Sequence, residues 1–188
     1  IGGEKWKTVG QWLEWEFDVE YSGYYCIRVK TQQTFNMGQP SYRRLYIDGV
    51  VPFSEADCVR FEAEEWDVTT LGGTQEPWLF YLEKGPHTLR MEVTLGELRE
   101  LIVQVGDSMD NLSRIYREIL AEVGHDADPN RDYKLDESIP ETLKELQTEG
   151  LRVEEYYERY IQLVGGRNSQ TQILLNMADL AESLTDRP

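Results

Sequence analysis

The chain has 188 residues, with 35 Asp or Glu against 19 Lys or Arg, so its formal net charge is −16 at pH 7. Nucleic acids and anionic membranes bind clustered Lys and Arg, so this acidic composition argues against both as partners. No apolar run reaches about 18 residues, so no segment is predicted to span a bilayer. The first residue is Ile1 rather than Met, and we expect the chain to be a piece of a longer protein.

The aromatic residues divide the chain into two parts. All five Trp and all five Phe precede Gly96, and the aromatic residues after it are five Tyr. The part before this break is typical of short strands, and the part after it is typical of long amphipathic helices. We therefore predict two contiguous domains of different build, residues 1–95 and 96–188.

The first part carries short segments in which apolar and polar residues alternate, as in half-buried strands. In the first of them, Trp12 to Val19, the side chains of Trp12 and Trp15 are predicted to face opposite sides of the sheet. Asp48-Gly49 is a two-residue hairpin signal. The other predicted strands are 24–30, 44–47, 50–53, 58–61, 66–71, 78–82 and 88–93. This series of short strands and turns predicts an all-β antiparallel sandwich.

A long polar loop is predicted at 31–44, between two strands. Binding residues gather in such loops, and here the candidates are Asn36, Tyr42 and Arg43. The alternative is that the loop only connects two sheets and leaves Arg43 solvated.

The two cysteines, Cys26 and Cys58, allow either a disulfide in an oxidising compartment or two free thiols. Apolar residues directly follow each of them in a strand-like run. We therefore favour free thiols.

The second part carries apolar residues at three- and four-residue steps, which predicts helices. The first helix runs from Leu98 to Val123 and ends at Gly124. The second opens with a capping box at Ser138–Glu141 and stops at Gly165. A third is predicted to begin at Ser169–Gln172. Three antiparallel helices with apolar stripes form an all-α three-helix segment, so the fold class is a two-domain β plus α arrangement.

The loop before the second helix carries oxygen-bearing side chains at the spacing of an EF-hand calcium loop. These residues are Asp126, Asp128, Asn130, Asp132 and Glu137. Arg131 stands where such loops need glycine, and Pro129 stiffens the turn. A solvated acidic loop is therefore favoured over a calcium site.

Four phrases of the first part recur together in a known family: Gly10–Trp15, Val19–Tyr25, Leu45–Gly49 and Leu82–Leu89. In this order they resemble the carbohydrate-binding modules of the family 6 and family 35 type. Those modules are jelly-roll sandwiches attached to secreted proteins that handle glycans. The resemblance covers about residues 3–95 and implies a jelly-roll β-sandwich that recognises carbohydrate.

The chain as a whole is similar to a segment of large extracellular solute-binding lipoproteins of bacterial sugar ABC transporters. The similarity rests on Thr88–Thr94, Leu95–Leu98 and Asp128–Tyr133. It implies a non-catalytic carbohydrate-recognition fragment outside the cell, with an oligo- or polysaccharide and the remainder of the parent chain as partners. Membrane attachment would come only from the anchor of the parent protein.

The resemblance also suggests which rings meet the sugar. Sugar recognition needs an aromatic face against the apolar side of a pyranose, flanked by planar hydrogen-bonding groups. Trp6, in a glycine-rich entry loop, and Trp66, after an acidic run, match the aromatic residues of the family's cleft. The alternatives are that Trp6 closes the open end of the sandwich and that Trp66 is buried in the core.

The sequence departs from the family at its calcium site and in its cleft. The chain starts too late to include the usual Glu-x-Glu pair, Thr94–Glu97 replaces the acidic or amide ligand after the last strand, and the late cleft asparagine is absent. No cofactor is therefore required by the pattern. A structural spacer or docking domain without a ligand remains the alternative function.

Nothing in the sequence predicts an enzyme. The two histidines, His87 and His125, lie in different domains. The sequence shows no nucleophile–histidine pair, metal triad or glycine-rich phosphate loop.

Overall fold

A computed structural model describes residues 5–34, 38–128 and 130–166, together with residues 172, 173, 175, 176 and 179. The chain divides into two compact units, Ile1–Glu97 and Leu98–Pro188. Antiparallel strands build the first unit, and helices build the second. The predicted layout of a β part followed by an α part is therefore confirmed.

Eight strands lie in the described part of the first unit. They are β1 Trp12–Val19, β2 Gly23–Tyr25, β3 Arg28–Thr31, β4 Ser41–Ile47, β5 Val59–Phe61, β6 Asp67–Thr70, β7 Phe80–Leu82 and β8 Gly85–Thr94. The predicted strand at 50–53 is wrong. That stretch forms a single bridge, at Val50, and leads into a short 3₁₀ turn at Ser54–Asp57.

A four-stranded antiparallel sheet has the order β1-β8-β4-β5, so β8 lies between β1 and β4. Met91 of β8 is opposite Leu13 of β1 and Leu45 of β4, and both Met91 and Leu45 are fully buried. In β1, Trp15 packs against the core while Trp12 is exposed, which confirms their predicted opposite faces.

The other strands pair as β2 with β7 and β3 with β6. Residues 23–31 form one extended run, because the Leu71 N–H donates to the Ile27 carbonyl between β2 and β3. Ile27 and Val29 pack against the same core as the four-stranded sheet. Its buried members are Val19, Leu45, Ala56, Val59, Phe61, Leu71, Phe80, Leu82 and Met91. The core therefore lies between two layers of strands.

The predicted hairpin turn at Asp48-Gly49 is confirmed. Both residues have positive φ, 51° and 79°, as the favoured two-residue hairpin turn requires. Ile47 and Val50 exchange backbone hydrogen bonds of 2.9 and 3.0 Å around it.

The Asp48 side chain ties this turn to the central strand. One carboxylate oxygen accepts from the Thr88 N–H at 2.8 Å, and the other contacts Nδ1 of His87 at 2.7 Å. Nε2 of His87 lies 2.8 Å from the Glu83 carbonyl. With an acceptor at each ring nitrogen, the doubly protonated ring satisfies both contacts. The hydrogen bond to Asp48 is the main cause that raises the pKa of His87. Burial opposes ionisation of Asp48, but the hydrogen bonds from Thr88 and His87 outweigh it and lower its pKa.

We expect the first unit to lose stability as the pH rises through the folded-state pKa of His87. That pKa is raised, so the contribution is complete below the unfolded value of about 6.5 and is lost above the folded value. All five Trp lie in this unit, so thermal unfolding followed by tryptophan fluorescence measures it. The variant His87→Gln should have a flatter profile over this range, and an equally steep fall in that variant would contradict the assignment.

The second unit contains α1 Leu98–Val123, α2 Leu135–Ser138 and α3 Pro140–Val164. The first predicted helix and its cap are confirmed, since Gly124 has φ 79° and its N–H donates to the Leu120 carbonyl. The predicted capping box at Ser138 is wrong, because Ser138 ends α2 and Ile139 precedes α3 without a side-chain cap. Within the described residues, no helix is both long and apolar enough to cross a membrane.

The third predicted helix falls largely outside the described residues. The described ones, 172, 173, 175, 176 and 179, are helical. Gln172 donates a side-chain hydrogen bond to Asn176 at 2.8 Å, one helical turn away.

The helices α1 and α3 run antiparallel, as the ion pairs Arg159–Glu100 and Arg114–Glu145 show. The buried residues of these two helices are six apolar residues, two hydroxyl residues and one carboxylate. They are Leu101, Ser108 and Ile115 of α1, and Thr142, Leu146, Glu149, Val153, Tyr157 and Val164 of α3.

Glu149 is only 4% exposed. Ser108 Oγ donates to it at 2.5 Å and Asn111 Nδ2 at 3.2 Å, and Arg152 pairs with it from the same helix. Such a network is satisfied in one register of the two helices.

We expect Glu149→Ala to destabilise the helical unit by about 2 kcal/mol, because the buried Ser108 and the half-buried Asn111 lose their acceptor. The exposed Glu155 of the same helix is the matched control, and Glu155→Ala should cost less than about 0.5 kcal/mol. Urea unfolding followed by circular dichroism at the helix band measures both. Equal effects in the two variants would contradict this role of Glu149.

Candidate functional site

Trp66 lies directly before β6 and is 61% exposed. The amine of Lys30, in β3, is 5.8 Å from the centroid of its ring. The alternative that Trp66 is buried in the core is therefore wrong. Its indole is open to a ligand.

The predicted polar loop lies beside the segment that carries Trp66. The Gln33 N–H donates to the Ala63 carbonyl at 2.7 Å, and Gln32 Nε2 donates to the Glu64 carbonyl at 3.2 Å. Further along the loop, the Gly38 N–H donates to Glu64 Oε1 at 2.9 Å. The structure thus joins two stretches that the sequence singled out separately.

We name Lys30, Gln32, Glu64 and Trp66 the Trp66 surface. It combines an exposed aromatic ring with an amine, an amide and a carboxylate. Those groups suit a pyranose, whose C–H face packs on a ring while its hydroxyls exchange hydrogen bonds. Asn36, the predicted hydrogen-bonding residue of the loop, lies outside the described residues.

The placement of Tyr42 and Arg43 in the loop is wrong, since both belong to β4. Strand β4 begins at Ser41 because Ser41 and Tyr42 pair with Phe61 and Arg60 of β5. The polar composition of the stretch concealed this long-range pairing.

Tyr42 is 2% exposed, so its ring offers no face to a sugar. Its hydroxyl donates to Glu97 Oε2 at 3.1 Å and accepts from Arg60 at 3.4 Å. Burial is the main cause that raises the pKa of Tyr42 to about 12. A Cβ on Gly96 would lie 2.3 Å from Cγ of Tyr42, so the ring packs where only glycine fits.

Arg43 covers one face of Trp6. Its guanidinium carbon is 4.3 Å from the centroid of the Trp6 ring, and Nη1 donates to the Tyr42 carbonyl at 2.8 Å. The Trp6 ring also meets Trp15 edge-on, with centroids 6.3 Å apart, and packs against the core. Burial lowers the pKa of Arg43 to about 10. These contacts make Trp6 and Arg43 part of the packing at the edge of the sandwich.

Other exposed aromatic residues were not among the sequence candidates. Trp12 is 52% exposed, with the guanidinium of Arg90 4.5 Å from its ring centroid and Glu14 paired to Arg90 at 2.8 Å. Tyr24 and Tyr81 form a second exposed group, on β2 and β7. Strand alternation places Trp12 and Tyr24 outward, but the partners of both rings depend on strand register.

The acidic loop between α1 and α2 does not gather its side chains around one point. Asp128 accepts from the Asn130 N–H at 2.9 Å, Asp132 accepts from the Lys134 N–H at 2.9 Å, and Glu137 pairs with Lys134. Glu137 lies inside α2. No group of three metal-ligating side chains is present among the described residues, Asp126 included.

Comparison with known proteins addresses the second unit. Residues 100–188 match the family model described as bacterial solute-binding protein, 4-helix bundle domain. The helical part of the chain is similar to that domain. The match covers just under half of the chain and lies within the second unit. No curated protein matches the chain at a significant level.

Solved structures are also similar over part of the chain. One of them is a Paenibacillus sp. cycloisomaltooligosaccharide glucanotransferase complexed with cycloisomaltoheptaose, with 21% identity and a TM-score of 0.37. The match covers 46% of this chain and 11% of the other. A likeness of this extent carries no argument about the present protein.

The different packing of Trp6 and Trp66 can be measured as a difference in the free energy of unfolding of two variants. We expect Trp6→Ala to destabilise the first unit by about 2 kcal/mol, because it removes packing on Trp15 and Arg43. Trp66→Ala should cost less than about 0.5 kcal/mol. Urea unfolding followed by fluorescence of the remaining tryptophans compares the two variants, and a larger loss for Trp66→Ala would contradict this placement.

Proposed function

We propose that the β unit is a non-catalytic carbohydrate-recognition domain and that the chain is part of an extracellular solute-binding protein of a bacterial sugar ABC transporter. The exposed Trp66 indole beside the polar loop carries the sugar-binding part of this proposal. The match of residues 100–188 to a bacterial solute-binding protein domain supports the context. The motif resemblance of residues 3–95 to carbohydrate-binding modules agrees with it.

The chemistry of the Trp66 surface favours a sugar over other ligands. A stacked ring contributes about 1 kcal/mol, so one exposed indole supports weak binding that suits a repeated or concentrated ligand. The chain carries a net charge of −16, which repels phosphate-rich polymers but leaves an uncharged polyol unaffected.

The proposal also covers the cofactors of the domain and the other parts of the parent protein. Recognition by stacking and hydrogen bonding needs no cofactor, and calcium is not part of it. The remainder of the parent chain would supply the transported-solute site and any membrane anchor. These partners follow from the solute-binding context and from the motif resemblance.

A structural spacer or docking domain is the second candidate function. Two observations favour it: Tyr42 is buried, and Arg43 covers Trp6. Three of the predicted sugar contacts are thereby used in packing. Under this alternative, Trp66 would contact another part of the parent protein.

A glycan array probed with the 188-residue chain tests the proposal, followed by titration of each hit with tryptophan fluorescence as the signal. We expect Trp66→Ala to weaken binding by about fivefold, because a stacking ring that contributes about 1 kcal/mol is lost. Trp12→Ala is the matched control, since Trp12 is similarly exposed but already covered by Arg90.

Binding that survives Trp66→Ala and is lost in Trp12→Ala would move the site to the four-stranded sheet. A folded chain that binds no glycan on the array would reject the proposal and favour the spacer.

A further inference from the structure

An exposed pair of tyrosines includes Tyr24, which belongs to the same extended run, residues 23–31, as Lys30 of the Trp66 surface. Tyr24 of β2 and Tyr81 of β7 are directly opposite in the strand register. They are 71% and 58% exposed, and their ring centroids are 5.3 Å apart. The two exposed rings meet edge to face, at an interplanar angle of 67°, and together give an apolar platform that carries two hydroxyls.

This pair and Trp66 lie along one outer face. Along residues 23–31, Ile27 and Val29 pack inward, whereas Tyr24, Cys26, Arg28 and Lys30 are exposed; Tyr25, between Tyr24 and Cys26, is exposed as well. Lys30 is the residue over Trp66. Lys30 is six positions after Tyr24 in the sequence. In an extended chain this corresponds to about 20 Å.

The side chains between the two aromatic ends are hydrogen-bond donors. Arg28 is opposite Thr70 in the register, and Lys30 is opposite Val68. Among the described residues, neither Arg28 nor Lys30 takes part in an ion pair. Their N–H groups can therefore donate to a ligand that offers oxygen acceptors.

We propose that this outer face binds a linear oligosaccharide along its length, with Trp66 at one end and the Tyr24–Tyr81 pair at the other. The inference rests on the proposed function and adds the ligand class: an extended chain of sugars rather than a single terminal residue. The rings contact pyranose faces, and Arg28 and Lys30 contact sugar oxygens, whether hydroxyl or carboxylate.

A cross-strand aromatic pair also stabilises the sheet to which it belongs. That role alone gives a stability effect and no dependence on ligand length. A dependence on ligand length is therefore the property that distinguishes a binding platform from a structural pair.

The test is isothermal titration of the 188-residue chain with paired disaccharides and hexasaccharides. The probes are gluco-, xylo- and manno-oligosaccharides as neutral ligands and oligogalacturonides as acidic ones. We expect the hexasaccharide of at least one series to bind about tenfold more tightly than its disaccharide, because only the longer ligand reaches both ends.

Variants then assign the two ends. We expect Tyr81→Ala to remove the gain of the hexasaccharide and to leave disaccharide binding unchanged, whereas Trp66→Ala weakens both. Tyr24→Leu keeps an apolar strand residue and should give the same result if Tyr81→Ala reduces folding. Tyr21→Ala is the control, since Tyr21 is exposed beside β2 and lies outside this face.

The titrations with oligogalacturonides show which sugar oxygens, carboxylate or hydroxyl, are bound. Arg28→Gln should weaken oligogalacturonides more than neutral ligands if a carboxylate is bound, and should weaken both alike if hydroxyls are bound. Equal affinities for short and long ligands, or a hexasaccharide unaffected by Tyr81→Ala and Tyr24→Leu, would overturn the extended platform. Loss of disaccharide binding in Trp66→Ala would then still support the proposed function, whereas no binding in any series would overturn both.

Discussion

The first unit depends on its central strand, β8, which pairs with β1 on one side and with β4 on the other. Met91 sits at the middle of this strand between Leu13 and Leu45 and is closed off from solvent. Side chains alternate along strands, so fixing the register of β8 decides which residues of both neighbours face the core. Asp48 reinforces that register, because its carboxylate binds both the backbone of Thr88 and the ring of His87.

The contacts of each aromatic ring determine whether it is free for a ligand. A ring that packs against a cation or another ring inside the protein has less surface left for a ligand. Trp6 packs in this way against Arg43 and Trp15. Trp66 lies directly before β6 and is 61% exposed, with the amine of Lys30 5.8 Å from its ring centroid. An indole in that setting loses little when a sugar displaces water from it, so the Trp66 surface is the favourable place for stacking.

The helical unit depends on a different interaction, a polar network buried between two helices. Apolar stripes bring α1 and α3 together, but such stripes tolerate sliding of one helix along the other. The buried carboxylate of Glu149 opposes such sliding, because a shift would break its hydrogen bonds with Ser108 and Asn111. The region that matches a solute-binding protein domain therefore includes a helix pair, α1 and α3, that a buried polar network holds in register.

The sequence by itself determined the local features: the Asp48-Gly49 turn, the opposite faces of Trp12 and Trp15, and the helix that ends at Gly124. Each depends on backbone preferences or on side-chain periodicity within a few residues. The tertiary structure decided the depth of Tyr42 and the covering of Trp6 by Arg43. These depend on contacts between segments distant in sequence, such as the pairing of β4 with β5. Local patterns do not encode such contacts, because a strand's partners are chosen by burial across the whole core.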